Sequence, residues 1–181
     1  MGTYAEVLTD RAIPLGLLAG LDRDRLWERH IDDCLRATVA FRPDDRVAYD
    51  LGSGAGLPGI VLACALPDRR FRLIEPRRKA VAFLELAIER LGLANVEILG
   101  VRAEDLDEPA DVVTARAFAP PEHAWAGASR LLRPGGRLVY FAGARLQDPV
   151  ALARTFPEPP AEVEVVGAVD SPAPLVIMSR R

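Results

Sequence analysis

The sequence predicts one α/β domain: a mostly parallel, seven-stranded sheet that ends in a C-terminal antiparallel hairpin and is preceded by an N-terminal helical cap. Three observations predict it. From Arg46 onward, short apolar runs alternate with helical segments; a glycine-rich turn, AYDLGSGAGLPG at 48 to 59, follows the first run; and the last two strand-like runs are joined by a connection too short for a helix. A chain of 181 residues with 50% hydrophobic content suits a single unit with a sizeable core, read here as a cap over 1–42 and an α/β core over 43–181.

The elements follow in order. Residues 1–42 hold broken helical patterns: Leu15, Leu17, Leu18 and Leu21, then Leu26, Trp27, His30, Ile31, Cys34, Leu35 and Val39 at spacings of three and four. VAYDLG is the first strand, and a helix over about 59–66 leads to FRLIE. A helix over about 76–91, ended by Gly92 and Asn95, leads to VEILGV, and DVVTAR is the fourth strand. A helix over about 121–132 and a sharp turn at Pro134-Gly135-Gly136 precede RLVYFAG. AEVEVVGAV and PLVIMSR, joined by DSPA, pair antiparallel, and PEPPAE at 157–162 is a rigid surface turn.

Composition narrows the chemistry. Cys34 and Cys64 have no CxxC spacing, which predicts reduced thiols, no zinc and a cytoplasmic protein. The N-terminal stretch carries no signal-peptide pattern and no apolar run reaches 18 residues, so no membrane association is expected. A net charge of −3 argues against a nonspecific nucleic-acid coat, DNA included, while leaving room for a local basic patch that docks RNA. Neither His30 nor His123 has metal-site spacing or a serine elbow nearby, so no metal is expected and hydrolysis is disfavoured.

The glycine turn points to a nucleotide-like ligand. Gly52, Gly54 and Gly56 permit a tight turn around Ser53 and Leu57, and the following helix offers free backbone N–H groups. GxGxxG alone fits a dinucleotide equally well. Asp50 shifts the balance: at the strand end its carboxylate repels a pyrophosphate and attracts the ammonium of an amino-acid moiety, directly or through water. S-adenosylmethionine has that ammonium and no phosphate. Glu75, at the end of the second strand, is placed to accept both ribose hydroxyls, or serves as an ordinary acid at a helix start. Ala103 and Glu104 after the third strand suit an adenine edge, although acids there also fit a solvated loop.

The fourth strand delivers Arg116, Ala117 and Phe118 beside the transferable group. Arginine binds a phosphate or the acceptor edge of guanine, and Phe118 fits either base stacking or core packing. His30 fits pocket shaping better than acid–base chemistry. Basic candidates for an RNA surface are Arg23, Arg25, Arg29, the Arg77-Arg78-Lys79 run, Arg145 and Arg180-Arg181.

These motifs together, from RLWERHIDDCL through LGSGAGLPGI, FRLIEPRRKAVAFLELAIERLGL, VRAEDL, DVVTARAF and LLRPGGRLVYFAG, resemble the bacterial small-subunit ribosomal RNA guanine-N7 methyltransferases, called RsmG or GidB. The resemblance spans about residues 25 to 143. It implies a class I S-adenosylmethionine-dependent methyltransferase with a Rossmann-like core, which methylates guanine N7 in 16S ribosomal RNA or the small-subunit particle. By matching motif, Asp50, Gly52, Ser53, Gly54, Gly56, Leu57, Glu75, Ala103 and Glu104 would hold the cofactor. Arg116 would be the pocket arginine, a catalytic and also a cofactor-binding candidate, with Phe118 the second catalytic candidate, and His30 and Asp33, as substrate or pocket-shaping residues, match the family's HxxDS pattern. The chain departs from the family at Cys34, in place of a serine, and at Ala142, in place of a lysine for which Arg145 could substitute. The family's NLT-type motif is absent from MGTYAEVLTDRAIP. A monomer is expected. A same-fold enzyme acting on a small molecule or other RNA, a silent adenosyl-ligand or ribosome-binding module, and a nicotinamide oxidoreductase remain open alternatives.

Overall fold

A computed structural model describes residues 2–19, 26–143, 146, 148–167 and 173–181. Five parallel strands, β1 (Val47–Leu51), β2 (Arg70–Ile74), β3 (Val96–Leu99), β4 (Ala110–Arg116) and β5 (Leu132–Phe141), are joined by the antiparallel pair β6 (Glu162–Val166) and β7 (Leu175–Ser179). The order across the sheet is β3-β2-β1-β4-β5-β7-β6. The chain runs outward from β1 through β2 to β3, then crosses back to β4, so the direction of travel reverses between β1 and β4. In open α/β sheets that reversal parts the loops and leaves a crevice at the strands' C-terminal ends.

Burial explains why the strands lie where their apolar runs are. All of β4 from Ala110 to Ala115 is buried, as is β1 from Ala48 to Leu51, which is the position of central strands covered on both faces. Helices α3 (Gly59–Ala65), α4 (Arg78–Leu91) and α5 (Pro121–Leu131) supply the covers. On α4, Ala80, Phe83, Leu84 and Ala87 form the buried stripe. Gly92, at φ 63°, ends that helix in the left-handed conformation, and the Leu93 N–H closes onto Ile88 O at 3.2 Å. Asn95 then donates to Ala63 O (3.0 Å) and Arg69 O (3.1 Å), fastening the end of α3 to the start of β3.

The cap comprises α1 (Gly2–Val7), which widens into a π-helical turn at Leu8–Ala12, and a second helical stretch. That stretch is π over Trp27–Asp32, α over α2 (Asp33–Leu35) and 3₁₀ over Arg36–Ala40. The changing pitch rearranges the expected apolar face. Leu26 and Ile31, five apart, are both buried, and so are Cys34, Ala37 and Ala40, three apart. Trp27 and Val39, expected on the same face, are therefore turned outward, 44% and 65% exposed. Tyr4, Val7, Leu8 and Ala12, at helical spacing but outside the two groups named from the sequence, also pack against α3 and α4.

Other differences have local causes. The turn at Pro134-Gly135-Gly136 is an irregularity inside β5, across which the register steps from Ala110↔Leu132 to Val112↔Arg137. A five-residue helix, α6 (Pro149–Ala153), was not anticipated; Asp148 accepts the Ala151 N–H at its start (2.9 Å). Leu21, Arg23, Arg25 and Arg145 lie outside the described residues, as does most of the DSPA connection. No helix among the described residues is long and apolar enough to cross a membrane.

Candidate active site

The five parallel strands end on one edge, which brings the glycine turn after β1, Glu75 after β2, Ala103 after β3, Arg116 at the end of β4 and Ala142 after β5 to the same side. The glycine turn is locked from several directions. The Gly52 and Ser53 N–H groups donate to Ile74 O (2.9 and 3.2 Å), and Ser53 Oγ donates to Asp50 O (2.9 Å). Tyr4 of the cap donates its hydroxyl to Ala55 O (2.5 Å), a brace the sequence did not announce. Gly52, at φ 64°, lies under the Phe118 ring, so close that an added Cβ would sit 2.6 Å from Phe118 Cδ2. Leu57 is buried in the apolar cluster beneath the cap.

Asp50 is 1% exposed, and both its oxygens face the protein. Thr114 Oγ1 donates to Oδ1 (2.7 Å), and the Gly59 N–H, the first of α3, donates to Oδ2 (3.2 Å). A side chain at Gly59 would put Cβ 2.3 Å from Leu73 and 2.7 Å from that oxygen, so only glycine allows the strand end and helix start to meet. Burial pushes the Asp50 carboxyl up to about 6, against the opposing hydrogen bonds from Thr114 and Gly59. An acid with a raised native value binds its proton more tightly folded than unfolded. Its stabilising contribution is therefore present below the ordinary value of 3.8 and is lost as pH rises through about 6. Asp50→Asn, which removes the charge and keeps the shape, is expected to stabilise the fold at pH 7 by about 1–3 kcal/mol. It is also expected to weaken cofactor binding. Thermal melts of both proteins between pH 4 and 7, with calorimetric binding of S-adenosylhomocysteine, check this; a variant that melts no higher at pH 7 would contradict it.

Glu75 is equally buried and more heavily engaged. Its Oε1 accepts from the Arg77 backbone N–H and Nε, both at 2.9 Å, and its Oε2 accepts from Gly54 N (2.9 Å) and Arg77 Nη2 (3.0 Å). Burial alone would raise this carboxyl, but the hydrogen bonds from Arg77 and Gly54 outweigh it and hold the group below its ordinary value. Ala103 is buried in a 3₁₀ turn, Ala103–Asp105, while the Glu104 side chain is exposed.

Arg116 joins the cap to the sheet. Its Nη2 lies 2.9 Å from His30 Nδ1, 3.1 Å from Arg29 O and 3.5 Å from Asp33 Oδ2, and its Nη1 lies 3.9 Å from Cys34 Sγ. The guanidinium carbon stands 5.9 Å over the Phe141 ring. Arginine only donates, so His30 Nδ1 accepts, and the imidazole is neutral in this arrangement. Ala117 follows at φ 51°, a left-handed conformation rare for a residue with a side chain. That kink separates Arg116, directed toward the cap, from Phe118, which lies on the glycine turn and is 37% exposed. A cleft of about 280 Å³ beside them is lined by Asp33, Arg116, Ala117, Tyr140, Phe141 and Ala142, among others. His30, Asp33, Arg116 and Phe118, read separately in the sequence, thus belong to one neighbourhood with the glycine turn.

Not every basic candidate reaches this edge. Because β7 runs antiparallel, Arg180 and Arg181 emerge at the opposite edge, and Arg180 donates its guanidinium to Leu132 O. A larger cavity there, about 520 Å³, is lined by Trp125, Arg130, Glu158 and Arg181 among others. Trp125 is buried and its indole N–H is committed to Glu158 O (2.6 Å), so this cavity offers no free aromatic face. His123 is exposed in the first turn of α5. No group of metal-ligating side chains occurs among the described residues.

A family model described as rRNA small subunit methyltransferase G matches residues 1–159. Relatives of that description include one from Acidothermus cellulolyticus, 43% identical over 171 residues that cover 92% of this chain and 77% of the relative. Another, from Mycolicibacterium gilvum, is 41% identical over 186 aligned positions covering 96% and 81%. Among solved structures, a SAM-dependent O-methyltransferase from Thermotoga maritima superposes with a TM-score of 0.65 at 19% identity, covering 82% of this chain and 64% of the other. A T. thermophilus 16S rRNA N2 methyltransferase in complex with AdoMet and guanosine gives 0.64 at 17%, covering 83% and 42%. At such identities the structural likeness establishes the fold alone.

Proposed function

We propose, from the premise that the chain belongs to the rRNA small subunit methyltransferase G family, that it transfers a methyl group from S-adenosyl-L-methionine to N7 of a guanine in 16S ribosomal RNA. The observation that carries this reading is the convergence of the cap's His30 and Asp33 with Arg116 of β4, one strand away from the glycine turn. A cofactor turn and an acceptor cleft then share one edge of the sheet.

When bound, the cofactor supplies a methyl group activated by a sulfonium. Gly52, Ser53, Gly54 and Gly56 would form the turn that admits it, and the charge of Asp50, whose two oxygens are engaged by Thr114 and Gly59, would attract its ammonium from beneath that turn. Glu75 would take the ribose hydroxyls, and Ala103 and Glu104 would flank the adenine.

Guanine N7 carries an in-plane lone pair and no proton, so the chain needs no general base. Its task is alignment, together with tolerance of the positive charge that appears on the methylated base. A lone arginine next to N7 would oppose that charge. Asp33, 3.5 Å from Arg116, offsets it, and the guanidinium N–H groups not engaged by His30, Arg29 and Cys34 can anchor O6 or a phosphate from one side of the cleft. Phe118, exposed over Gly52, provides a face on which the base can stack. We take the cap and core to act together as a monomer in the cytoplasm.

The reading is tested by offering methyl-labelled S-adenosylmethionine with small-subunit particles lacking the modification, protein-free 16S RNA, DNA and a small-metabolite extract. Label confined to ribosomal RNA is the expected outcome. Label in the metabolite fraction alone would instead establish a small-molecule enzyme of the same fold.

A further inference from the structure

The Glu75 carboxylate is saturated. A carboxylate offers about four lone-pair positions, and four donors fill them: the Gly54 and Arg77 backbone N–H groups and two nitrogens of the Arg77 guanidinium. The two backbone donors are fixed by the glycine turn and the start of α4. The guanidinium is different, because the Arg77 side chain is 65% exposed and reaches the buried carboxylate from the solvent side. A ribose diol donating two hydrogen bonds to Glu75 can be accommodated only where the guanidinium now sits.

The surroundings of Arg77 show where it can go. It stands immediately before α4, a 14-residue helix whose first turn holds no acidic side chain and opens with Arg78 and Lys79, both exposed. Three consecutive cations at the positive end of a helix dipole repel one another and favour an anion. This cluster lies just past the C-terminal end of β2, on the edge that carries Arg116. RNA phosphate is the anion that the proposed substrate brings to this edge, and a freed guanidinium binds it with paired hydrogen bonds.

We propose that Arg77 is an exchange residue: it closes Glu75 in the unliganded protein, yields the carboxylate to the ribose, and then binds an RNA phosphate beside Arg78 and Lys79. Cofactor and RNA binding are thereby positively coupled, and by linkage each strengthens the other by the same factor. This inference rests on the reading of Glu75 as the ribose ligand.

The test measures calorimetric affinity for S-adenosylhomocysteine with and without 16S RNA, in the unaltered chain and in Arg77→Ala, Arg77→Gln and Glu75→Gln. Both Arg77 variants are expected to bind S-adenosylhomocysteine roughly fivefold more tightly without RNA, the scale of a partly exposed ion pair. The coupling between the two ligands should disappear in them. In the unaltered chain, the salt dependence of RNA binding should steepen by about one phosphate contact when S-adenosylhomocysteine is present, and in the Arg77 variants it should not change. Unchanged or weaker S-adenosylhomocysteine binding in folded Arg77 variants overturns the exchange, as does coupling that survives them. Glu75→Gln separates the premise: if that variant binds S-adenosylhomocysteine as the unaltered chain does, the ribose assignment itself is wrong, whatever Arg77 does.

Discussion

Replacing Arg116 by alanine is expected to lower methyl transfer to ribosomal RNA by about 100-fold, equivalent to roughly 3 kcal/mol, while S-adenosylhomocysteine affinity stays within about threefold. The asymmetry follows from the contacts. Arg116 touches His30, Asp33 and the Arg29 carbonyl, and it lines the cleft proposed for the acceptor. None of its hydrogen bonds goes to the glycine turn or to Glu75. Lysine should rescue little, because one ammonium cannot span His30 Nδ1, Arg29 O and a substrate oxygen as a planar fork does. Parallel measurement of RNA methylation and cofactor binding decides the matter. Equal losses in both would mean that Arg116 holds the cofactor side together, and no loss would remove it from the site.

The second large effect concerns stability. Arg137→Ala is expected to destabilise the protein by about 3 kcal/mol, since it leaves the buried Asp45 carboxylate with only the half-exposed Arg133, 3.8 Å away, as a cation. Asp45 is 1% exposed and Arg137 is 3% exposed. Arg137 donates to Asp45 and also to Ala40 O, and Asp45 accepts the Arg42 N–H at 2.6 Å. The pair thus clamps the last turn of the cap to β5. A fall in Tm of roughly 10 °C is predicted for a chain of this size. Arg137→Met combined with Asp45→Leu should recover most of that loss, because an apolar pair leaves no stranded charge. A single Arg137 variant that melts within a degree or two of the unaltered chain would show that the clamp contributes little.

How much of this was legible depends on whether the signal is local. The central strands were readable because burial on both faces favours apolar-rich runs, and VAYDL and DVVTAR supply them. Glycine spacing marked the turn for a local reason, since it acts on the nearest few residues. The convergence of His30 with Arg116, 86 residues apart, was not legible, since it depends on how the cap docks. Nor was the Tyr4 brace on Ala55, 51 residues away. The outward position of Trp27 came from a helix that changes pitch, which a fixed spacing of three or four cannot represent. Helix α6 is too short to show a period. The displacement of Arg180 and Arg181 to the far edge is a different case, because it follows from the antiparallel direction of the last strand, which the sequence had indicated.

The central claim is that one crevice at the C-terminal edge of the sheet aligns a ribosomal guanine with the cofactor's methyl group. The measurement that tests it most directly is chemical cleavage at 7-methylguanine, mapped along 16S RNA after incubation of unmodified small-subunit particles with the protein and S-adenosylmethionine. The account predicts cleavage at a single guanine, abolished by Arg116→Ala and retained by a substitution of the exposed His123. Methyl incorporation at a position other than guanine N7, or cofactor binding with no cleavage in any competent particle, would contradict it.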